Sequence, residues 1–117
     1  MSAKDALNRV ELGRKVEAVE HKVAVVGTGY WGLNLVRNYH ALGALQAVCD
    51  IDKAALEKIR SEYPGVRTTN DYASVLCDPS IRGIVIATPA AMHYSFARDA
   101  LLMRKDVYVE KPLALQV

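Results

Sequence analysis

Residues Lys22 to Gly32 read KVAVVGTGYWG: an apolar run that breaks into a glycine-rich turn and passes at once into a helical pattern. Val23, Ala24, Val25 and Val26 are apolar on both faces, which suits a central strand of a parallel sheet covered by helices on either side. Gly27, Thr28, Gly29, Tyr30, Trp31 and Gly32 then carry the spacing G-x-G-x-x-G. Physically, the first glycine permits the tight turn, the second lets backbone approach a pyrophosphate, and the third lets the helix press on the strand. The free N–H groups of that helix start would hold the phosphates. The hexapeptide alone is a weak signal. A preceding strand, a following helix and an acid about 20 residues further on, Asp50, make it a dinucleotide-binding pattern.

Outward from this turn, helices and strands alternate. Trp31 to Leu42 carries Leu33, Leu35, Val36, Tyr39 and Leu42 at helical spacing and is closed by Gly43. Ala44 to Cys49 returns as a second strand ending at Asp50. Asp52 caps a helix through Arg60 with Ala55, Leu56 and Ile59 inward, and Tyr63-Pro64-Gly65 stops it. Val66 to Thr68 reads as a short third strand. Asn70 or Asp71 starts a short helix with Tyr72, Val75 and Leu76, and Asp78-Pro79 turns the chain into the strand Gly83 to Ala87. Thr88-Pro89 breaks that strand. Ala91 to Met103 is helical with Phe96, Ala100 and Leu101 inward, and Asp106 to Val109 is a fifth strand before Glu110-Lys111-Pro112. This alternation implies an α/β fold, a doubly wound parallel sheet of the Rossmann type, with a single domain over 22–117. Residues 1–21 read as an N-terminal extension whose stretch 2–20 fits either a loosely amphipathic helix or a disordered leader. In such sheets ligands lie beyond the carboxyl ends of the strands, where Gly27 to Gly32, Asp50, Thr88-Pro89 and Glu110-Lys111-Pro112 all fall.

At 117 residues the chain has room for one core, and its net charge of +2 with scattered basic residues does not resemble a nucleic-acid footprint. Cys49 and Cys77 lack metal-ligand or disulfide spacing, so no metal is expected and a reducing cytoplasm is the simplest setting. No apolar run is long enough to span a membrane.

GTGYWG (27–32), VCDID (48–52), IATPAAMHYSFARDAL (86–101) and VYVEKPLAL (107–115) together resemble the N-terminal half of the Gfo/Idh/MocA oxidoreductases. EKP at a strand end, preceded by TP-x-x-x-H, is much more specific than the glycine pattern. GYWG (29–32) followed, after Leu33, by NLVRNYHALGALQAVCDID (34–52) most resembles members acting on nucleotide-linked sugars, such as UDP-N-acetylglucosaminuronate 3-dehydrogenases. The resemblance implies that Gly27, Gly29 and Gly32 hold the dinucleotide phosphates, with Thr28, Tyr30 and Trp31 of the same turn among the cofactor-binding residues although Tyr30 and Trp31 could equally just pack beside it, that Asp50 binds the adenosine ribose and that Ile51 packs on adenine. It further implies that Thr88, Pro89 and His93 line the cofactor path, with Glu110 and Lys111 near the nicotinamide. Lys111 would be the catalytic residue, a cation that orients the reacting hydroxyl and favours its deprotonated form. It also suggests a cis Lys111-Pro112 bond. This chain has Ala90 where many relatives have asparagine, and Arg104 where they have glycine.

The resulting expectations are NAD preferred over NADP, a sugar or nucleotide-sugar substrate, homo-oligomerisation, and no nucleic-acid or membrane partner. Family enzymes continue into a second, substrate-binding domain, so these residues are expected to bind cofactor without turnover. The competing reading is a non-catalytic NAD-binding module or sensor. A methyltransferase would share the glycine turn and the acid but gives no reason for TP-x-x-x-H or EKP.

Overall fold

The computed structural model describes residues 22–109. The extension 1–21 and the Glu110-Lys111-Pro112 turn, with its expected cis bond, lie outside them. The elements run β1 (Val23–Val26), α1 (Tyr30–Ala41), β2 (Leu45–Cys49), α2 (Lys53–Glu62), β3 (Arg67–Thr69), α3 (Tyr72–Leu76), β4 (Gly83–Ile86), α4 (Ala90–Leu102) and β5 (Asp106–Val109). All four strand pairings are parallel, in the order β3-β2-β1-β4-β5. The expected doubly wound sheet is the one observed, and β1 lies at its centre because Ala24, Val25 and Val26 can be buried on both faces.

The pleat divides these apolar residues between two cores. Val25, Val48 and Val85 meet Val36 of α1 with Leu56 and Ile59 of α2 on one face. Ala24, Val26, Ala47, Cys49, Ile84 and Ile86 meet Val75 and Leu76 of α3 and Ala100 of α4 on the other. Each such fully buried valine or isoleucine contributes roughly 1.5–3 kcal/mol through apolar burial. A register shift between Val23 and Ala24 pairs Val23 with Leu45 but Ala24 with Ala47. Leu45 therefore packs with α1 and α2 while Ala47 packs with α3 and α4, and the intervening Gln46 turns its amide to Ser80.

Helix ends follow local chemistry. Asp52 Oδ1 accepts from the amides of Ala54 (3.0 Å) and Ala55 (3.3 Å), capping α2 as its position implies. Asp71 caps α3 in the same way through Ala73. Gly43, at φ 73°, reverses the chain after α1. Arg104 takes a left-handed φ of 61°, a conformation that favours glycine. The next residue anchors that turn: Lys105 is buried, and its Nζ donates to the carbonyls of Asp78 and Ile81, each at 2.6 Å.

Three side chains differ from the periodicity reading. Leu101 is exposed because the inward face of α4 is set by Phe96, Ala97 and Ala100, one residue out of phase with it. Leu42 caps the C-terminus of α1 and points away as the chain reverses, and Leu33 lies on the outer side of the first turn. β2, β3 and β4 also begin or end within one residue of the expected bounds.

At the carboxyl rim the strand ends are tied to one another. Ala87 donates to the Val26 carbonyl (2.8 Å), Gly27 to Cys49 (2.9 Å) and Asp50 to Thr69 (3.1 Å). The ends of β4, β1, β2 and β3 are thus joined in series just below the residues that form the site.

Candidate functional site: a cleft at the carboxyl rim

The glycine turn is built by contacts that exclude a side chain. Gly27 has φ 102°, and a Cβ there would lie 2.8 Å from the carbonyl carbon of Ala87. A Cβ on Gly32 would strike the carbonyl of Gly27, so α1 can approach β1 this closely only without one. Gly29 differs: nothing lies within 4 Å of a Cβ there, and that space belongs to the cleft. Gly29 is also the N-cap of α1 without a side-chain cap. Leu33 bonds back to its carbonyl at 2.8 Å, and the amides that precede Leu33 in the first turn have no place in the intrahelical ladder. Those amides and the positive end of the α1 dipole make a seat for an anion such as a pyrophosphate.

Asp50 follows β2 and turns back onto the glycine loop. Its Oδ2 accepts from the Thr28 amide at 2.8 Å and from the Thr28 hydroxyl, while Oδ1 accepts from the Asp52 amide at 2.9 Å. Beneath it, the Cys49 thiol is pushed up to about 11, first by burial and then by the nearby Asp50 and Asp71 carboxylates, so it stays protonated.

These residues open onto a cleft of about 440 Å³, larger than a hollow of about 320 Å³ beside α2 and β3 and one of about 250 Å³ at the opposite end of β1 and β4. Gly27, Thr28, Gly29, Tyr30, Trp31, Asp50, Ile51, Thr88 and Pro89 all line it. Tyr30 and Trp31 stand edge to face at 5.4 Å beside the mouth, and Ile51 is largely exposed. Gly32 lies buried behind the wall. His93 is not on the wall: its Nε2 donates to the Thr88 carbonyl at 2.6 Å, so it holds the loop after β4. Glu110 and Lys111 lie outside the described residues.

The far wall was not apparent from the motifs. Asn70, Tyr72, Met92 and Phe96 complete the cleft. Tyr72 donates to the Phe96 carbonyl at 2.7 Å and stacks edge-on to its ring at 4.6 Å, and burial above all raises its hydroxyl pKa. Met92 and Phe96 are four residues apart on α4, and the i, i+4 spacing was the available signal. Beside this wall Thr88 Oγ1 is buried without a hydrogen-bond partner among the described residues. An orphaned hydroxyl, an open approach at Gly29 and uncapped α1 amides fit a dinucleotide: apolar walls for its rings and N–H groups for its phosphates. Were that dinucleotide a nicotinamide one, its ring would supply the carbon that accepts or donates hydride.

Residues 21–117 match the family described as an oxidoreductase family with an NAD-binding Rossmann fold, Gfo/Idh/MocA. The chain belongs to this family. Among Gfo/Idh/MocA proteins it is 32% identical over 99 residues to inositol 2-dehydrogenase of Mycolicibacterium smegmatis, covering 82% of this chain and 29% of that protein. A scyllo-inositol dehydrogenase from Lactobacillus casei, solved with NAD(H) and scyllo-inositol, superposes with a TM-score of 0.71 at 25% identity over 77% of this chain and 27% of that one. A Synechocystis biliverdin reductase, solved with biliverdin and NADP+, gives 0.70 at 30% identity over 80% of this chain and 30% of that one. The chain spans about a quarter of the length of the curated relatives it matches. No helix among the described residues is long and apolar enough to cross a membrane.

Proposed function

We propose that these residues form the cofactor-binding half of a dehydrogenase that passes hydride between NAD and a hydroxyl of a sugar or nucleotide sugar. The observation that carries this reading is the Asp50 carboxylate, held at the end of β2 against the Gly27–Gly32 turn in the rim cleft. A carboxylate there accepts from the adenosine ribose and repels a 2′-phosphate, which favours NAD over NADP. Asp52 adds to that repulsion, and Lys53 is the nearby cation that opposes it. Relatives named for inositol support a polyol or sugar-like alcohol, and the relative holding NADP+ makes the cofactor preference a matter for measurement.

Gly27, Gly29, Gly32 and the first amides of α1 take the phosphates, Asp50 the adenosine ribose, and Ile51 the adenine. Thr88 and Pro89 border the path, and His93 positions it through the Thr88 carbonyl. Lys111, with Glu110 beside it, is assigned the cation that orients the substrate hydroxyl. A cytoplasmic setting belongs to the same proposal. So does self-association, for which exposed Leu101, Leu102 and Met103 offer apolar surface; a strictly monomeric mass in dilute solution counts against it.

Calorimetric titration of the 117-residue chain with NAD and with NADP is the test. Tighter NAD binding is expected, tighter NADP binding overturns the preference, and no NAD binding at millimolar concentration overturns the cofactor assignment. With NAD and sugar nucleotides, these residues alone are expected to produce no NADH absorbance, because substrate must be held within about 3–3.5 Å of the reacting carbon beside a matched base. Robust turnover overturns the division between cofactor half and substrate half.

A further inference from the structure

A carboxylate offers about four acceptor sites, two on each oxygen. At Asp50 both sites of Oδ2 are taken by Thr28, one by its amide and one by its hydroxyl, and the Asp52 amide takes one site of Oδ1. One site remains, on Oδ1. A ribose has two adjacent hydroxyls to place, so the carboxylate as held here can accept only one of them. The Thr28 hydroxyl, bonded to that same carboxylate, is able to accept the other: its oxygen donates one proton to Asp50 and keeps its own lone pairs, and Thr28 lines the cleft.

We propose that Thr28 is a specificity-determining part of the ribose seat, taking one adenosine-ribose hydroxyl on its Oγ1 and relaying it to Asp50 Oδ2, while the other hydroxyl goes to Asp50 Oδ1. The proposal rests on the dinucleotide reading above and assigns the side chain of Thr28 a role distinct from its backbone. The backbone amides of Thr28 and Asp52 already fix the plane of the carboxylate, so the hydroxyl is not needed to hold it there. A 2′-phosphate is acceptor-only at its ionised oxygens and cannot donate to a hydroxyl already committed to Asp50. Thr28 therefore favours the free diol over the phosphorylated one by the same arrangement.

The test is a double-mutant cycle between protein and ligand, read as affinity by calorimetry on the full chain. The ligands are NAD, NAD lacking the adenosine 2′-hydroxyl and NAD lacking the 3′-hydroxyl, each offered to the wild type, Thr28→Val and Thr28→Ser. A net hydrogen bond is worth about threefold to tenfold in affinity. Thr28→Val is expected to lose that factor for NAD, Thr28→Ser to retain wild-type affinity, and one deoxy ligand to bind the wild type more weakly by the same factor. That ligand should lose nothing further on Thr28→Val, and the ratio of NAD to NADP affinity should fall in Thr28→Val alone.

Multiplying losses, or a Thr28→Val loss shared equally by NAD, NADP and both deoxy ligands, overturn the proposal while leaving NAD binding itself intact. Should Thr28→Val fail to fold, the wild type still decides: undiminished affinity for both deoxy ligands overturns it. Absence of NAD binding by the wild type overturns the cofactor reading and this assignment with it.

Discussion

Replacing Gly32 by alanine separates the architectural use of the glycine turn from its use as a binding surface. At an unconstrained helical position Gly→Ala stabilises by about 1 kcal/mol, so propensity alone predicts a more stable protein. The structure predicts the opposite. The added Cβ meets the Gly27 carbonyl, with the Gly27 carbonyl carbon 2.7 Å away and Ala87 Cβ at 3.5 Å. The first two are backbone atoms of a turn tied to Cys49, and they cannot swing aside as a side chain would. Overpacking of this kind costs about 1–3 kcal/mol. Backbone on backbone belongs near or above the top of that range, leaving a net loss of about 2 kcal/mol after the propensity gain. For a domain of this size that lowers Tm by roughly 10 °C. Gly29→Ala is the control: its Cβ meets nothing within 4 Å, so stability should fall by no more than about 1 kcal/mol, the cost of a poorer N-cap, while NAD affinity drops because the methyl enters the cleft. Thermal unfolding by circular dichroism with parallel NAD titrations reads both. A Gly32→Ala protein that melts at or above the wild-type temperature refutes the argument.

Cys49 should resist thiol reagents in the native protein at pH 8, since burial first and the neighbouring carboxylates second push its thiol up to about 11. Exposed Cys77 should react readily, giving one labelled thiol per native chain by mass spectrometry and two in denaturant; rapid native labelling of both counts against this packing. The carboxyl of Asp78 is held below its ordinary range by the Ser80 hydroxyl and amide first, with Arg67 and Lys105 adding to the effect. A depressed folded-state value means that this contribution is present above the unfolded value, about 3.9, and is lost as pH falls through the lower folded one. Asp78→Asn should therefore lower stability at neutral pH and shrink the loss on acidification, as read from urea midpoints across pH; an unchanged pH profile removes Asp78 from that role. Lys105→Met should cost about 1–3 kcal/mol by leaving the Asp78 and Ile81 carbonyls unpaired, measured by chemical denaturation, and a neutral result would mean that water replaces the ammonium. Arg104→Gly should not destabilise the chain, because φ is 61° there, and a loss above about 1 kcal/mol would show that the arginine side chain matters more than its backbone.

The parallel sheet was readable because apolar strands buried on both faces leave a continuous signal: Val23 to Val26 is β1 as the pattern implies, and β4, expected over Gly83 to Ala87, ends one residue earlier at Ile86. Caps were readable for the same local reason, Asp52 outright and Asp71 as one of two candidates with Asn70, since these side chains carry their own hydrogen-bond chemistry. Helix faces were less so. Leu101 and Leu102 are apolar and helical, and only the packing of Phe96 and Ala100 on β4 and β5 decides that the leucines turn outward. The near wall of the cleft was legible in G-x-G-x-x-G and Asp50, whose spacing is set within one βαβ unit. The far wall was not, because Asn70, Tyr72, Met92 and Phe96 meet only through the crossover that brings α3 and α4 to one face. His93 carried a recognisable motif, yet its bond to the Thr88 carbonyl depends on how α4 leaves β4.

The bonds that tie the strand ends at the carboxyl rim also bear on how the protein breathes. The amide protons of Ala87, Gly27 and Asp50 are committed across four neighbouring strands at the level of the cleft floor. Freeing the Ala87 or Gly27 amide requires parting strands at the centre of the sheet, so these two should exchange with deuterated solvent only on the timescale of whole-domain unfolding, and Asp50, bonded to the edge strand β3, should exchange sooner. Loops beside a cleft usually exchange early. Here the centre of the floor should be among the last to label, and a ligand entering above it should meet a surface whose shape is set before it arrives, with adjustment confined to exposed side chains such as Tyr30, Trp31 and Ile51.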